Sequence, residues 1–108
     1  MYMYNLVYRS TANTLSSTQV DDILNESRDF NKRHDITGCL IYHKGFFIQY
    51  LEGEAEIVLA LFEKIRVDTR HYEVILLSKG NIYSREFDTW SMAYLSDDIP
   101  NEAFQYIK

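Results

Sequence analysis

Ile36-Thr37-Gly38-Cys39-Leu40-Ile41-Tyr42-His43, then Lys44-Gly45, then Phe46-Phe47-Ile48-Gln49-Tyr50-Leu51, then Glu52-Gly53, is the stretch that decides the fold. Two runs rich in β-branched and aromatic residues flank a two-residue turn sequence, which is the pattern of a β-hairpin. In the second run Phe47, Gln49 and Leu51 share one face, and Phe46, Ile48 and Tyr50 share the other. Apolar residues on both faces predict a central strand with both sides covered.

Working outward, a helix precedes the hairpin. Ser17 or Thr18 caps it, Asp21 and Asp22 fall in its first turn, and it runs to about Arg33. A second helix follows from Glu54 to about Asp68, with Ile57, Val58, Leu61, Phe62 and Ile65 on one face. Tyr2 to Arg9 reads as a strand before the first helix, and Thr11 to Ser17 as a polar loop. Strands at Glu73 to Leu77 and Phe87 to Leu95 follow the second helix, and a third helix begins at Asn101. The order is βαββαβ with one additional, fifth strand. That is a ferredoxin-like α+β fold, with two helices on one face of a mixed sheet. The single proline, Pro100, is the one break. It divides a unit at 1–97 from the start of a C-terminal helical extension at 98–108.

The informative positions are those where polar residues interrupt apolar faces. On the first helix Val20, Ile23 and Leu24 define an arc, and Ser27 and Asn31 lie near the centre of that same arc. Either the helix outruns the core and Asn31 is solvated, or its late half faces a polar ligand held against the sheet. Gln49 sits between Phe47 and Leu51, where an unpaired amide would cost about 1–3 kcal/mol, so it has partners: backbone, or a ligand. Tyr8 shares a face with Leu6 and Tyr4 and needs a partner for its phenol, for which Gln49 on a neighbouring strand is a candidate. Trp90, Met92 and Tyr94 share a face of the fifth strand, a stripe that packing alone explains. Lys64 lies at the edge of the second helix's arc and Asp68 within it, with Arg70 and His71 just beyond. Such a group holds a phosphate or balances the helix dipole, and the pattern alone favours the latter.

Composition excludes several functions. The 108 residues make one domain, with 46% hydrophobic and 25% charged residues. Eleven Lys+Arg against sixteen Asp+Glu leave a net charge of −5, unlike the basic face that nucleic acid or an anionic membrane requires. The start, Met1-Tyr2-Met3-Tyr4-Asn5, lacks the basic and apolar regions of a signal peptide. The longest apolar run, Ile57 to Phe62, is far short of the ~20 residues of a membrane span. Cys39 is the only cysteine, so no intrachain disulfide forms and a reducing cytoplasm fits. Among apolar neighbours it reads as a small core residue. His34, His43 and His71 have no metal-ligand spacing, and the four glycines form no phosphate loop. The 15% aromatic content, with nine tyrosines, suits a chain that packs rings or surrounds something flat.

Taken together, Leu6-Val7-Tyr8-Arg9-Ser10, Ser27-Arg28-Asp29-Phe30-Asn31, Ile36-Thr37-Gly38-Cys39-Leu40, Phe47-Ile48-Gln49-Tyr50-Leu51-Glu52-Gly53, Asp68-Thr69-Arg70-His71 and Phe87-Asp88-Thr89-Trp90-Ser91-Met92 form an ordered set. This set resembles the BLUF family of flavin-binding blue-light sensors, from about Leu6 to Met92. The resemblance implies a flavin, FAD first and FMN or riboflavin as alternatives, held between the two helices. It implies that Asn31 pairs with the flavin N3–H and an adjacent carbonyl. Tyr8 and Gln49 match the photoactive pair, and Trp90 and Met92 its neighbours on the last strand. Tyr8, Ser27, Gln49, Asp68 and Met92 count with the flavin contacts, and Lys64, Arg70 and His71 fall at the ribityl-phosphate end. The implied mechanism passes an electron and a proton from Tyr8, by way of Gln49, and leaves the Gln49 amide rotated or tautomerised until it relaxes in the dark. The domain is then not an enzyme, and its output passes to a partner protein or through self-association.

Phe30 departs from the family, which often carries Asn or His beside the ring-binding asparagine. Members also usually carry one or two helices after the sheet, covering its far face. A truncated chain or a covering partner accounts for the short end here. Two rival functions are a flavin protein used for redox work, and a ferredoxin-like ligand sensor or small-phosphate enzyme without flavin.

Overall fold

Gln19 decides where the first helix begins. A capping box needs Gln or Glu three residues after the cap, and only Ser16 has one. In the computed structural model, which describes residues 3–87, 91–96 and 105–107, the Ser16 hydroxyl accepts from the Gln19 backbone N–H at 3.1 Å. The Gln19 side chain accepts in return from the Ser16 N–H at 2.9 Å. The cap is therefore Ser16 rather than Ser17 or Thr18, and Asp21 and Asp22 fall beyond the first turn.

The elements are β1 (Met3–Ala12), α1 (Ser17–Arg33), β2 (Thr37–His43), β3 (Phe46–Gly53), α2 (Ala55–Arg66), β4 (His71–Ile82), β5 (Met92–Ser96) and β6 (Gln105–Ile107). The sheet runs β4-β1-β3-β2-β5-β6. Its first four strands are the ferredoxin-like βαββαβ unit. β5 adds beside β2 in parallel, which makes the sheet mixed. The hairpin turns at Lys44 and Gly45, with φ of 48° and 82°. Positive φ at both central residues matches the twist of the flanking strands.

α1 packs over β5, and α2 over β1 and β3. Under them Leu6, Leu24, Ile36, Leu51, Val58 and Met92 are almost wholly buried. β3 is central, as its pattern predicts, but its second face is not covered throughout. Phe46 and Ile48 are 38% and 37% exposed. The apolar pattern on both faces identified the strand's place in the sheet, not a second layer.

β4 is longer than the apolar stretch Glu73 to Leu77. It pairs with β1 from His71 to Ile82, with register shifts that leave Leu77 and Glu73 as extra residues on the β4 side. Its polar second half shows no side-chain periodicity because an edge strand is held by backbone bonds and faces water. β5 begins at Met92 rather than Phe87. Trp90 lies outside the described residues. The helix expected from Asn101 is corrected at 105–107, which form β6 against β5. The free edge of β5 satisfies three residues at once, whereas an isolated helical turn is costly to nucleate.

Gly38 is held by the close approach of its partner strand β3. A Cβ there would lie 2.1 Å from the Tyr50 carbonyl oxygen. Gly38→Ala is expected to lower stability by about 1–3 kcal/mol, read as a reduced midpoint in urea denaturation followed by circular dichroism.

Candidate functional site

The pairing of β1 with β3 sets Tyr8 opposite Gln49, both on the helix-covered face. Each is 4% exposed. The Tyr8 hydroxyl donates to Gln49 Oε1 at 2.5 Å, and Gln49 Nε2 donates to the Met92 sulfur at 3.7 Å. The candidate partner for Tyr8 is therefore its actual one. Burial, with the charge of Asp68 adding to it, pushes the Tyr8 phenol far above its ordinary pKa.

Above this pair lies a cavity of about 460 Å³ between the two helices and the sheet. Its floor is Tyr8, Leu40, Phe47 and Gln49. α1 supplies Ile23, Ser27, Phe30 and Asn31, and α2 supplies Leu61, Lys64 and Ile65. Asn31 is 1% exposed, so its polar side chain faces the interior and not water. Its Nδ2 donates to the Ser91 carbonyl at 2.8 Å, which ties α1 to the start of β5. Among the described residues Asn31 Oδ1 accepts no hydrogen bond. Met92 is fully buried behind Gln49 and does not line the cavity.

Asp68, Arg70 and His71 close the far end. The Arg70 guanidinium donates to Asp68 Oδ2 at 2.6 Å and to Glu26 Oε2 at 2.5 Å. Hydrogen bonds from Arg70 hold the Asp68 carboxyl below its usual range, and the Asp68 carboxylate holds the Arg70 guanidinium above its own. His71 is buried, and both ring nitrogens are engaged. Nε2 donates to the Ile65 carbonyl at 2.6 Å, which leaves Nδ1 to accept from the Ser10 hydroxyl at 2.7 Å. Its ring edge, not a free nitrogen, meets the Tyr8 ring at 6.1 Å. The Lys64 ammonium lies 4.8 Å over the Phe30 ring, which stacks on His34. Cys39 is free and buried, and burial pushes its thiol up to about 11, so it is protonated at neutral pH and no nucleophile.

Sequence reasoning missed Ser10, Ser91 and the apolar lining. Ser10 follows Tyr8 by two residues on the same face, a signal that was present. The Ser91 carbonyl is a backbone group, on which side-chain pattern is silent. No group of metal-ligating side chains occurs among the described residues. No helix among them is long and apolar enough to cross a membrane.

A cavity with apolar walls, the Asn31 and Gln49 amides in its lining and cations at one end fits a flavin. The lining carries Leu40, Phe47, Leu61 and Ile65 for ring faces, and an unspent Asn31 oxygen for a ring N–H. The fold and site thus define a ferredoxin-like domain with a ring-sized pocket between its helices and its sheet. The sequence model described as sensors of blue-light using FAD (BLUF) matches residues 3–93. The chain belongs to the BLUF family of blue-light sensors. It is 30% identical over 96 residues to the photoactivated adenylate cyclase subunit beta of Euglena longa, covering 87% of this chain and 11% of that protein. The dark-state structure of the BLUF protein BlrB superposes with a TM-score of 0.85 at 33% identity, covering 88% of this chain and 73% of that one. Klebsiella pneumoniae BlrP1, solved with FMN and cyclic diGMP, superposes with a TM-score of 0.81 at 29% identity, covering 87% and 26%. The chain therefore spans about a tenth of the cyclase subunit.

The Asp68–Arg70 pair has a pH signature. Asp68 has a lowered pKa in the folded state, so its contribution to stability is whole above the usual aspartate range, about pH 4. It is lost as the pH falls through the lowered value. Asp68→Asn is expected to flatten the acid limb of a plot of denaturation midpoint against pH.

Proposed function

We propose that the cavity holds a flavin and that Tyr8, Gln49 and Asn31 carry the response to blue light. The observation that carries this reading is the Tyr8 phenol donating to Gln49 Oε1 on the floor of the slot that Asn31 lines. Asn31 keeps one amide hydrogen and its oxygen, enough to pair with a ring carbonyl and the N–H beside it. Ser27 lines the same wall. Lys64, Asp68 and Arg70 serve the ribityl-phosphate end, with Lys64 as the cation that no carboxylate neutralises among the described residues. His71 supports that end from behind.

When bound, the flavin supplies blue-light absorption and, once excited, an acceptor for one electron from Tyr8. The phenol proton of Tyr8 moves along the existing hydrogen bond to Gln49 Oε1 as the ring loses its electron. Electron and proton both return on recombination, so no covalent bond is gained or lost overall. The raised phenol pKa keeps that proton on Tyr8 until the ring is oxidised. Gln49 is left rotated or tautomerised, with its hydrogen bond to Tyr8 rearranged and, on rotation, its N–H withdrawn from the Met92 sulfur, which can only accept. β5, which carries Met92, passes the change on. Such a step biases a two-state element by local hydrogen bonding.

FAD is the proposed cofactor, in line with the description of the family, and FMN, present in the BlrP1 structure, is the alternative. Residues 1–97 act as a non-enzymatic sensor unit. The output passes to an effector or partner protein, in keeping with the cyclase relatives, or through self-association. A cytoplasmic location suits the free, buried Cys39, and the net charge of −5 argues against direct binding of nucleic acid.

The purified protein is expected to show a flavin band that shifts to the red under blue light and returns in the dark. Bleaching of that band would favour the redox reading, and a protein that takes up no flavin would overturn both. Tyr8→Phe is expected to retain the flavin and lose the reversible shift. A Tyr8→Phe variant that photoconverts like the wild type removes Tyr8 from the mechanism. Asn31→Ala is expected to weaken flavin retention by about tenfold or more, the scale of a buried hydrogen bond to a ligand, as measured by flavin titration.

A further inference from the structure

Glu52 is fully buried, the only acid among the described residues that is. It lies on the sheet face opposite Gln49, three residues along β3, and no step above uses it. Its carboxylate accepts four hydrogen bonds. Oε1 takes the Tyr50 hydroxyl at 2.9 Å and the Glu86 N–H at 2.8 Å. Oε2 takes the Thr37 hydroxyl and the Phe87 N–H, each at 2.8 Å. Burial, with Glu52 adding to it, pushes the Tyr50 phenol up to about 12, so that phenol remains a donor.

Two of these donors belong to the segment that leaves β4. β4 is an edge of the sheet and β5 lies beyond β2, so the chain between them must pass β1, β3 and β2. Glu52 holds this crossing at β3. The Phe87 ring packs on Tyr50 at 5.3 Å beside it. Arg85 donates to the Thr37 hydroxyl at 2.8 Å and to the Asp35 carbonyl at 2.8 Å. A chain of bonds therefore runs from the Arg85 guanidinium through the Thr37 hydroxyl to Glu52. The guanidinium pairs with the Asp35 carboxylate at 3.1 Å and reaches the Glu52 carboxylate only through Thr37.

Where this crossing ends, the sensing site begins. Ser91, four residues after Phe87, accepts from Asn31, and Met92 accepts from Gln49. We propose that ionised Glu52 is a positioning residue of the light-sensing site. By fixing residues 85–87 against β2 and β3, it sets where the Ser91 carbonyl and the Met92 sulfur stand relative to Asn31 and Gln49. The demand is specific to a carboxylate. All four of its partners donate, and two are backbone N–H groups that cannot turn round to accept. A Gln side chain keeps the shape but presents an NH2 to one of those N–H groups, leaving it unpaired.

The proposal rests on the site reading above, so its test has one arm that needs no light. Glu52→Gln is made alone and with Met92→Ala, and Thr37→Val likewise, in case the first does not fold. In the dark, the Gln49 side-chain amide and Met92 methyl NMR resonances are expected to move in Glu52→Gln or Thr37→Val. Resonances unmoved in both overturn the proposal. In the light arm, either variant is expected to change the dark-recovery rate about threefold or more when Met92 is present, and much less when it is Ala, as for residues coupled through a shared contact. Rate changes that multiply independently of Met92 also overturn it. A wild type with no reversible shift would instead overturn the photochemical reading, and the dark NMR arm would still decide the role of Glu52.

Discussion

A phenol and a primary amide stand side by side between two adjacent central strands, out of reach of water, and they must satisfy each other. Left unpaired, either group would cost about 1–3 kcal/mol. The register that sets Tyr8 opposite Gln49 makes the pairing unavoidable. The same register places the pair under the space between α1 and α2, so the most polar point of the sheet's covered face is also the floor of its cavity. Leu6 and Leu51, two pairs further along the two strands and on the same face, are wholly buried and fix this register by packing.

The surroundings of that bond are arranged at two levels. Nearest to it, Gln49 reaches the Met92 sulfur, and Asn31 reaches the Ser91 carbonyl, so both helix and central strand touch the start of β5. Behind these, further buried groups hold the framework. Ser10 and His71 join β1 to the C-terminal end of α2, and Glu52 joins β3 to the crossing between β4 and β5. A change of one amide's hydrogen bonds is small in energy. It matters only because the groups it touches are on a different strand from the ones that hold it, so a local exchange is felt as a shift between strands.

The central elements were legible in the sequence for simple reasons. The hairpin has a two-residue turn between apolar runs, and the helices repeat apolar residues at helical spacing. Tyr8, Asn31 and Gln49 drew attention because each is polar on an otherwise apolar face, and all three are buried. The cap at Ser16 was legible too, once the Gln three residues on is given its weight. Other features left no such trace. β4 extends through Ser78-Lys79-Gly80-Asn81 because β1 offers backbone partners. β6 replaces an expected helix for the same reason. Phe46 and Ile48 carry the pattern of burial without its fact.

By itself, then, the sequence determined a ferredoxin-like order of elements and a small set of polar residues that needed partners, because periodicity and desolvation cost act on each residue where it stands. Which partners they found was decided only in three dimensions. Tyr8 and Gln49 are forty-one residues apart, Asn31 and Ser91 sixty, and Ser10 and His71 sixty-one. In the sequence Glu52 marks only the end of a strand. It became a buried carboxylate with four donors because a chain segment thirty-four residues away folds across it. Hydrogen bonds over such separations depend on strand order and register, and these are set by the packing of the whole sheet and its helices rather than by any local stretch.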